Sequence, residues 1–159
     1  MRRLRAVRAS AGGSETGAAL VEFAMVVPLL VPLLVILMQF GVAFNYKNQL
    51  TQLAAEGARM AAVDRNPGDS TALTLQNYIR SQAVGQELKN GGTTAVPDPI
   101  RVCITPGSTA GDPVTVTASV TFHWLPIVNS DVTQTTITGS ATMRMEQLAS
   151  KYALGCSPA

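Results

Sequence analysis

The chain has 159 residues, 47% of them hydrophobic and 14% charged, with a formal net charge of +2, two cysteines and one histidine. This length fits a single domain and excludes large catalytic architectures. Arg2, Arg3, Arg5 and Arg8 supply the positive excess; without residues 1–17 the remaining 142 carry eight basic and nine acidic side chains, which leaves no electrostatic footprint for nucleic acid.

Residues 1–16 are rich in Arg, Ala, Gly and Ser, have no period, and read as a leader rather than as fold. From Phe23 to Tyr46 there are 24 residues without a charge, more than the roughly 20 that an α-helix needs to cross the hydrocarbon core. The sequence therefore predicts a single-pass transmembrane helix in contact with lipid. Four arginines precede it, and only Lys47 and Arg59 lie close beyond it, so the N-terminus is expected in the cytoplasm and the C-terminal part outside. Glu22, the last charge before the span, either snorkels to the headgroups or is held there for pairing, because an ionised group near hydrocarbon is costly unless it is hydrated or paired. Pro28 and Pro32 predict a kink or a locally unwound stretch. That stretch is either a functional hinge or the ordinary proline content of a membrane helix.

Beyond Asn45 the helix is expected to continue into the aqueous space. Leu50, Leu53, Ala54, Gly57, Ala58 and Ala61 recur at helical spacing, against polar Lys47, Gln52, Glu56 and Arg59. This stripe suits either the chain's own core or, in part, neighbouring subunits, and periodicity does not separate the two. Asn66-Pro67-Gly68 is expected to stop the helix. A second helix follows, capped near Asp69 or Ser70, with Leu73, Leu75, Tyr78, Ile79, Val84 and Leu88 as its apolar set, ending at Lys89 and Asn90-Gly91-Gly92.

The period then changes from 3.6 to 2. Ile100–Thr105 reads as a short strand, Pro106–Asp112 as a turn, and Val114–Trp124 as a half-buried antiparallel strand. The last puts Val114, Val116, Ala118, Val120, Phe122 and Trp124 on one face. After a polar loop reaching 134, Thr135–Glu146 supplies the last strand. The expected class is α+β: an N-terminal transmembrane helix extended into the aqueous space, a second helix and a small antiparallel sheet. The expected divisions are 1–17 leader, 18–63 transmembrane and extended helix, and 64–159 exported domain.

Cys103 and Cys156 both fall in the exported part, where a disulfide can form. They are read either as that bond or as two free thiols, one buried and one in a frayed tail. No catalytic constellation emerges. His123 stands alone on the polar face of a strand, no Gly-x-Ser-x-Gly elbow occurs, and the glycines at 91, 92, 107 and 111 have no phosphate-loop lysine. Neither enzymatic activity nor a cofactor or metal is expected.

Gly17-Ala18-Ala19-Leu20-Val21-Glu22-Phe23 ahead of an apolar helix resembles the processing site of type IV prepilins. The continuation, Phe40-Gly41, Phe44 and then Gln52–Val63, is similar to the N-terminal signature of TadE-like pilus-assembly proteins; Thr142–Glu146 is a weaker likeness. The resemblance covers about 45 residues, Gly17 to Val63. It implies a pilin-like fold and cleavage after Gly17 by a prepilin peptidase on the cytoplasmic face. It also implies a pseudopilin-like part in assembling a Tad (Flp-type) adhesive pilus, with other Tad pilins and pseudopilins and an inner-membrane assembly platform as partners. On that reading Ala18 becomes the new N-terminus, and its ammonium lies one helical turn from Glu22, with Phe23 next in the motif.

Two other classes compete. A secreted binding protein would use the apolar run as a signal peptide, with Gly41-Val42-Ala43 as small residues for cleavage, although the run is longer than the usual apolar region of such a peptide. A membrane-tethered enzyme would need a site that the sequence does not display. The mature N-terminus discriminates the first two, because prepilin processing starts the chain at Ala18 and signal-peptide cleavage starts it near Phe44.

Overall fold

The computed structural model describes residues 13–68, 73–124 and 133–157. The leader up to residue 12, the caps expected at Asp69 or Ser70, and most of the loop up to 134 lie outside the described residues. The elements are α1 (Gly13–Ala62), α2 (Leu75–Ser81), α3 (Gln86–Asn90), β1 (Arg101–Thr105), β2 (Pro113–His123), β3 (Gln134–Arg144) and β4 (Gly155–Cys156). The class is α+β, with a four-stranded antiparallel sheet in the order β3-β2-β1-β4.

α1 is 50 residues long and begins four residues before Gly17, so the leader is helical from Gly13 onward. Leu, Ala, Met and Glu are good helix formers and dominate the run. Pro28 and Pro32 both lie inside the helix, which is not interrupted at either. Of the two outcomes expected there, a kink or a locally unwound stretch, the unwinding is absent: proline's fixed φ is compatible with a helix, and the helix runs on past both rings. Two compact units divide the chain, one ending at Met38 and the other running from Gln39 to Ala159. In the first, Leu20, Val21, Phe23, Met25 and the apolar residues that follow are exposed.

In the second unit the exposure pattern of α1 changes. Ala43, Tyr46, Leu50, Leu53, Ala54, Ala58, Ala61 and Ala62 are buried in one core with Ile79, Leu88, Val102, Ile104, Val116, Ala118, Val120 and Phe122. The small-residue stripe is therefore core of this chain. At Gly57 an added Cβ would lie 2.6 Å from Ile79 Cδ1, and at Gly139 of β3 it would lie 2.4 Å from the Leu50 carbonyl carbon. At Gly139 the sheet meets the backbone of α1 as closely as only glycine allows, whereas Gly57 makes room for the side chains of Ile79 and Val116.

The sheet follows the period-2 reading. β2 buries Val114, Val116, Ala118, Val120 and Phe122. Its pairing with β3 runs from Pro113↔Arg144 to His123↔Gln134, and with β1 from Arg101↔Ser119 to Thr105↔Thr115. β2 ends at His123, so Trp124 falls one residue beyond the strand.

Three expectations are corrected. The helix ends at Ala62, before Asn66-Pro67-Gly68; Asp64 turns the chain with φ 49°. Its amide donates to the Ala61 carbonyl and that of Arg65 to Met60, a Schellman arrangement. Asn66 instead shapes the following turn, accepting from the Gly68 amide and donating to the Leu73 carbonyl. The single second helix is two short ones. Thr74 caps α2 by accepting from the Asn77 amide, and Gly85 begins α3 in extended conformation. Glycine is a poor interior helix residue, and the break leaves Val84 85% exposed instead of on an apolar face. A fourth strand, β4, is added by the last residues of the chain.

Candidate functional site

The motif residues lie on consecutive turns of α1. Gly17, Ala18, Glu22 and Phe23 are all exposed and helical. Ala18 and Glu22 are four residues apart, so they share one face of the helix. An added Cβ at Gly17 would meet nothing within 4 Å, so packing does not demand glycine there. Among the described residues, α1 is the one helix long and apolar enough to cross a membrane, which is compatible with a single-pass anchor.

The other end of α1 is closed by the C-terminus of the chain. Asp64 is almost completely buried, and its carboxylate accepts from the Ser150 amide at 2.8 Å, the Lys151 amide at 2.9 Å, and the Ser150 hydroxyl. Burial pushes this carboxyl up, but the Ser150 hydroxyl, the two amides and the Lys151 charge outweigh it and hold it below the ordinary carboxylate range. Tyr152 donates its hydroxyl to the Ala61 carbonyl at 3.1 Å, and the Glu146 amide donates to that of Ala62 at 2.8 Å. Burial, then the nearby Asp64 charge, pushes the Tyr152 phenol up. Of the carbonyls that a helix end leaves unpaired, that of Ala62 thus finds its donor in Glu146, and that of Ala61 gains Tyr152 beside the Asp64 amide.

The segment continues across the fold. Gln76, buried in α2, donates to the Ala153 carbonyl at 2.6 Å. Cys156 lies opposite Cys103 on β1 and is joined to it by a disulfide spanning 53 positions. Ser157 is buried, its amide donating to the Val102 carbonyl at 2.8 Å and its hydroxyl accepting from the Val102 amide at 3.2 Å. Cys103 itself is half-buried, between the core residues Val102 and Ile104.

At the end of the unit nearest the apolar run, Tyr46 donates to the Glu87 carboxylate of α3, and the Lys47 ammonium donates to the Thr138 carbonyl of β3. Tyr46 meets Phe122 edge-on at 5.8 Å, and Phe122 meets Trp124 edge-on at 5.3 Å. The Trp124 indole N–H donates to the Thr135 hydroxyl at 2.8 Å. His123 closes β2, its amide donating to the Ala95 carbonyl at 2.9 Å. Among the described residues no three His, Cys, Asp or Glu side chains cluster as a metal site would require.

In the 106–112 turn the Asp112 carboxylate accepts from the Thr109 amide at 2.8 Å and the Ser108 amide at 2.9 Å. The hydrogen bonds from Thr109, joined by that from Ser108 and the Arg144 charge, hold this carboxyl below the ordinary range.

Asp64, Gln76 and Tyr152 were not legible as a set. Each stands alone in sequence, 77 to 87 positions separate Asp64 and Gln76 from their partners in the tail, and no local period links them. A weak signal existed: Asp directly after Ala61-Ala62-Val63 is one of the few non-glycine residues that tolerate the left-handed turn.

Comparison with curated proteins and comparison with solved structures gave no match. Residues 17–59, from the glycine of the processing-site motif through most of the small-residue stripe, match the family model of TadE-like proteins.

Proposed function

We propose that the chain is a pseudopilin-like, non-enzymatic component of Tad (Flp-type) pilus assembly, anchored by α1 with its N-terminus in the cytoplasm and its C-terminal unit outside. A prepilin peptidase cuts it between Gly17 and Ala18. The observation that carries this reading is the TadE-like match, which starts at the proposed scissile glycine.

The bond to be cut lies inside a helix. Peptide cleavage there requires local opening, and glycine in a helix interior costs about 1 kcal/mol relative to alanine, so Gly17 lowers the cost of opening at that turn. Cleavage creates an ammonium on Ala18, one turn before the exposed Glu22 carboxylate. The carboxylate then stabilises the new helix N-terminus both by charge and through the helix dipole. In the assembling pilus, the ammonium of a neighbouring subunit competes for Glu22 and sets register. Other Tad pilins and pseudopilins and the inner-membrane assembly platform are the partners on this reading.

The packing of Ala43 supports retention of the helix over removal of a signal peptide. Ala43 is buried in the core of the Gln39–Ala159 unit, so cleavage around Gly41–Ala43 would strip a residue from that core. The test is mass spectrometry of the mature N-terminus in cells carrying the peptidase. Native chain is expected to begin at Ala18, and Gly17→Val to accumulate as precursor, because a β-branched residue fits neither the small cleavage position nor easy opening of the turn. Normal maturation of Gly17→Val to Ala18 would remove the prepilin reading.

A further inference from the structure

The Gln39–Ala159 unit leaves one of its ends unfinished as a water-facing surface. Within it, Phe40 is 62% and Phe44 60% exposed, with Val42 also exposed, while Ala43 and Tyr46 between and beyond them are already in the core. Phe44 lies one turn and Phe40 two turns before Lys47, the first charge after the apolar run.

The same end of the unit carries Trp124. The alignment of α1 with the sheet fixes this: Ala62 meets Glu146 just after β3, Gly57 meets Val116, Lys47 meets Thr138, and Tyr46 meets Phe122. Progress back along α1 toward the apolar run is therefore progress toward His123 and Gln134, where β2 ends and β3 begins. Trp124, half-buried, closes the ring column from Tyr46 through Phe122.

We propose that this end is a lipid-contacting foot, with Trp124 at the headgroup level and Phe40, Val42 and Phe44 in the acyl region. The bilayer is the occupant because the apolar helical surface is continuous in the chain with exposed residues 40–44. Trp, apolar in body and polar at one edge, partitions to that boundary. The polar atom of Trp124 is already paired, its indole N–H with the Thr135 hydroxyl, which leaves the uncovered part of its half-buried ring for lipid. Lys47 and Glu87 supply charge at the same level. The foot rests on the membrane-anchor reading but adds a second membrane contact, made by the sheet rather than by the helix.

Trp124 is the only tryptophan, so the full chain reports on itself. Reconstituted in phosphatidylcholine–phosphatidylglycerol vesicles, Trp124 emission is expected to be quenched by lipids brominated near the carboxyl end of the acyl chain, much less by lipids brominated near the methyl end, and shielded from aqueous acrylamide. A depth standard is Trp124→Phe combined with Phe44→Trp, whose indole is expected to be quenched by both lipids. Quenching of the Phe44→Trp indole with none at Trp124 would overturn the foot while leaving the anchor intact. Absence of quenching in both chains would overturn the foot together with the anchor on which it rests.

Discussion

Asp64→Ala tests how much of the fold depends on the junction between the end of α1 and the chain's last residues. The substitution removes three hydrogen bonds to a carboxylate, from the Ser150 amide and hydroxyl and the Lys151 amide. Bonds to charged groups are each worth about 1.5–3 kcal/mol net. It also places alanine at φ 49°, without the local polar contacts that let Asp tolerate the left-handed region, where the penalty is about 1–2 kcal/mol. Relief from burying a carboxylate offsets part of this, and about 3–5 kcal/mol is expected to be lost. A domain of this size has about 5–15 kcal/mol in total. Asp64→Asn keeps the turn and one acceptor oxygen, and about 1 kcal/mol is expected to be lost. The pH dependence separates charge from shape. Because the folded-state carboxyl is held below its ordinary value, the native state binds fewer protons than the unfolded chain. Its contribution is complete above the unfolded value of about 3.9 and disappears as pH falls through the lower folded value. Urea titration of the full chain in detergent, followed by Trp124 emission over a pH series, measures both quantities. An Asp64→Ala chain within about 0.5 kcal/mol of native, or an acid limb unchanged in Asp64→Asn, would refute the reasoning.

Two further substitutions act at the other functional positions. Glu22→Gln is expected to insert and to be cleaved at Gly17 but to abolish piliation, because it removes the charge partner of the new Ala18 ammonium; normal pili counted by electron microscopy would show that this charge has no part in assembly. Cys156→Ser is expected to cost about 4 kcal/mol by the loop-closure relation for a bond spanning 53 positions, and to expose residues 153–157 to limited proteolysis while cleavage at Gly17 proceeds unchanged. A protease-resistant tail in that variant would show that Gln76 and Ser157 hold it without the cross-link.

Elements with a strong local period were legible in the sequence. The alternation of Val114 through Phe122 fixes a strand and the face that it buries, and the 24 uncharged residues of Phe23–Tyr46 fix a helix. The helical break at Gln82–Gly85 was legible only in part: Leu73, Val84 and Leu88 share one helical face and Leu75, Tyr78 and Ile79 another, which one straight helix does not bury together. Periodicity does not register that Gly85 is extended or that Val84 points to solvent. The ambiguity of the small-residue stripe was of another kind. Gly57 and its alanines announce that something packs close without saying what, and only the Ile79 and Val116 side chains at Gly57 and the approach of Gly139 to Leu50 identify it as the chain's own helix and sheet. β4 was illegible because two residues carry no period; it exists through the cross-link of Cys156 to Cys103 and the bonding of Ser157 to Val102.

The two ends of the α1 segment within the Gln39–Ala159 unit are satisfied by different means, and the order of the chain makes this consequential. The end at Ala62 is capped by residues 146–152, which lie more than eighty positions downstream, so helix and tail close only when nearly the whole unit is present. The disulfide that follows needs an oxidising compartment, which on the proposed topology is reached only after the chain has crossed the membrane. Gly17 and Glu22 are exposed and belong to the other unit. On the proposed function, leader processing and completion of the C-terminal unit are therefore separable steps. On the proposed function an assembling pilus then has two independent ways to exclude a defective subunit: an uncut N-terminus, which would lack the ammonium that Glu22 pairs with, and an unclosed tail, which would leave the Ala62 carbonyl without the Glu146 amide.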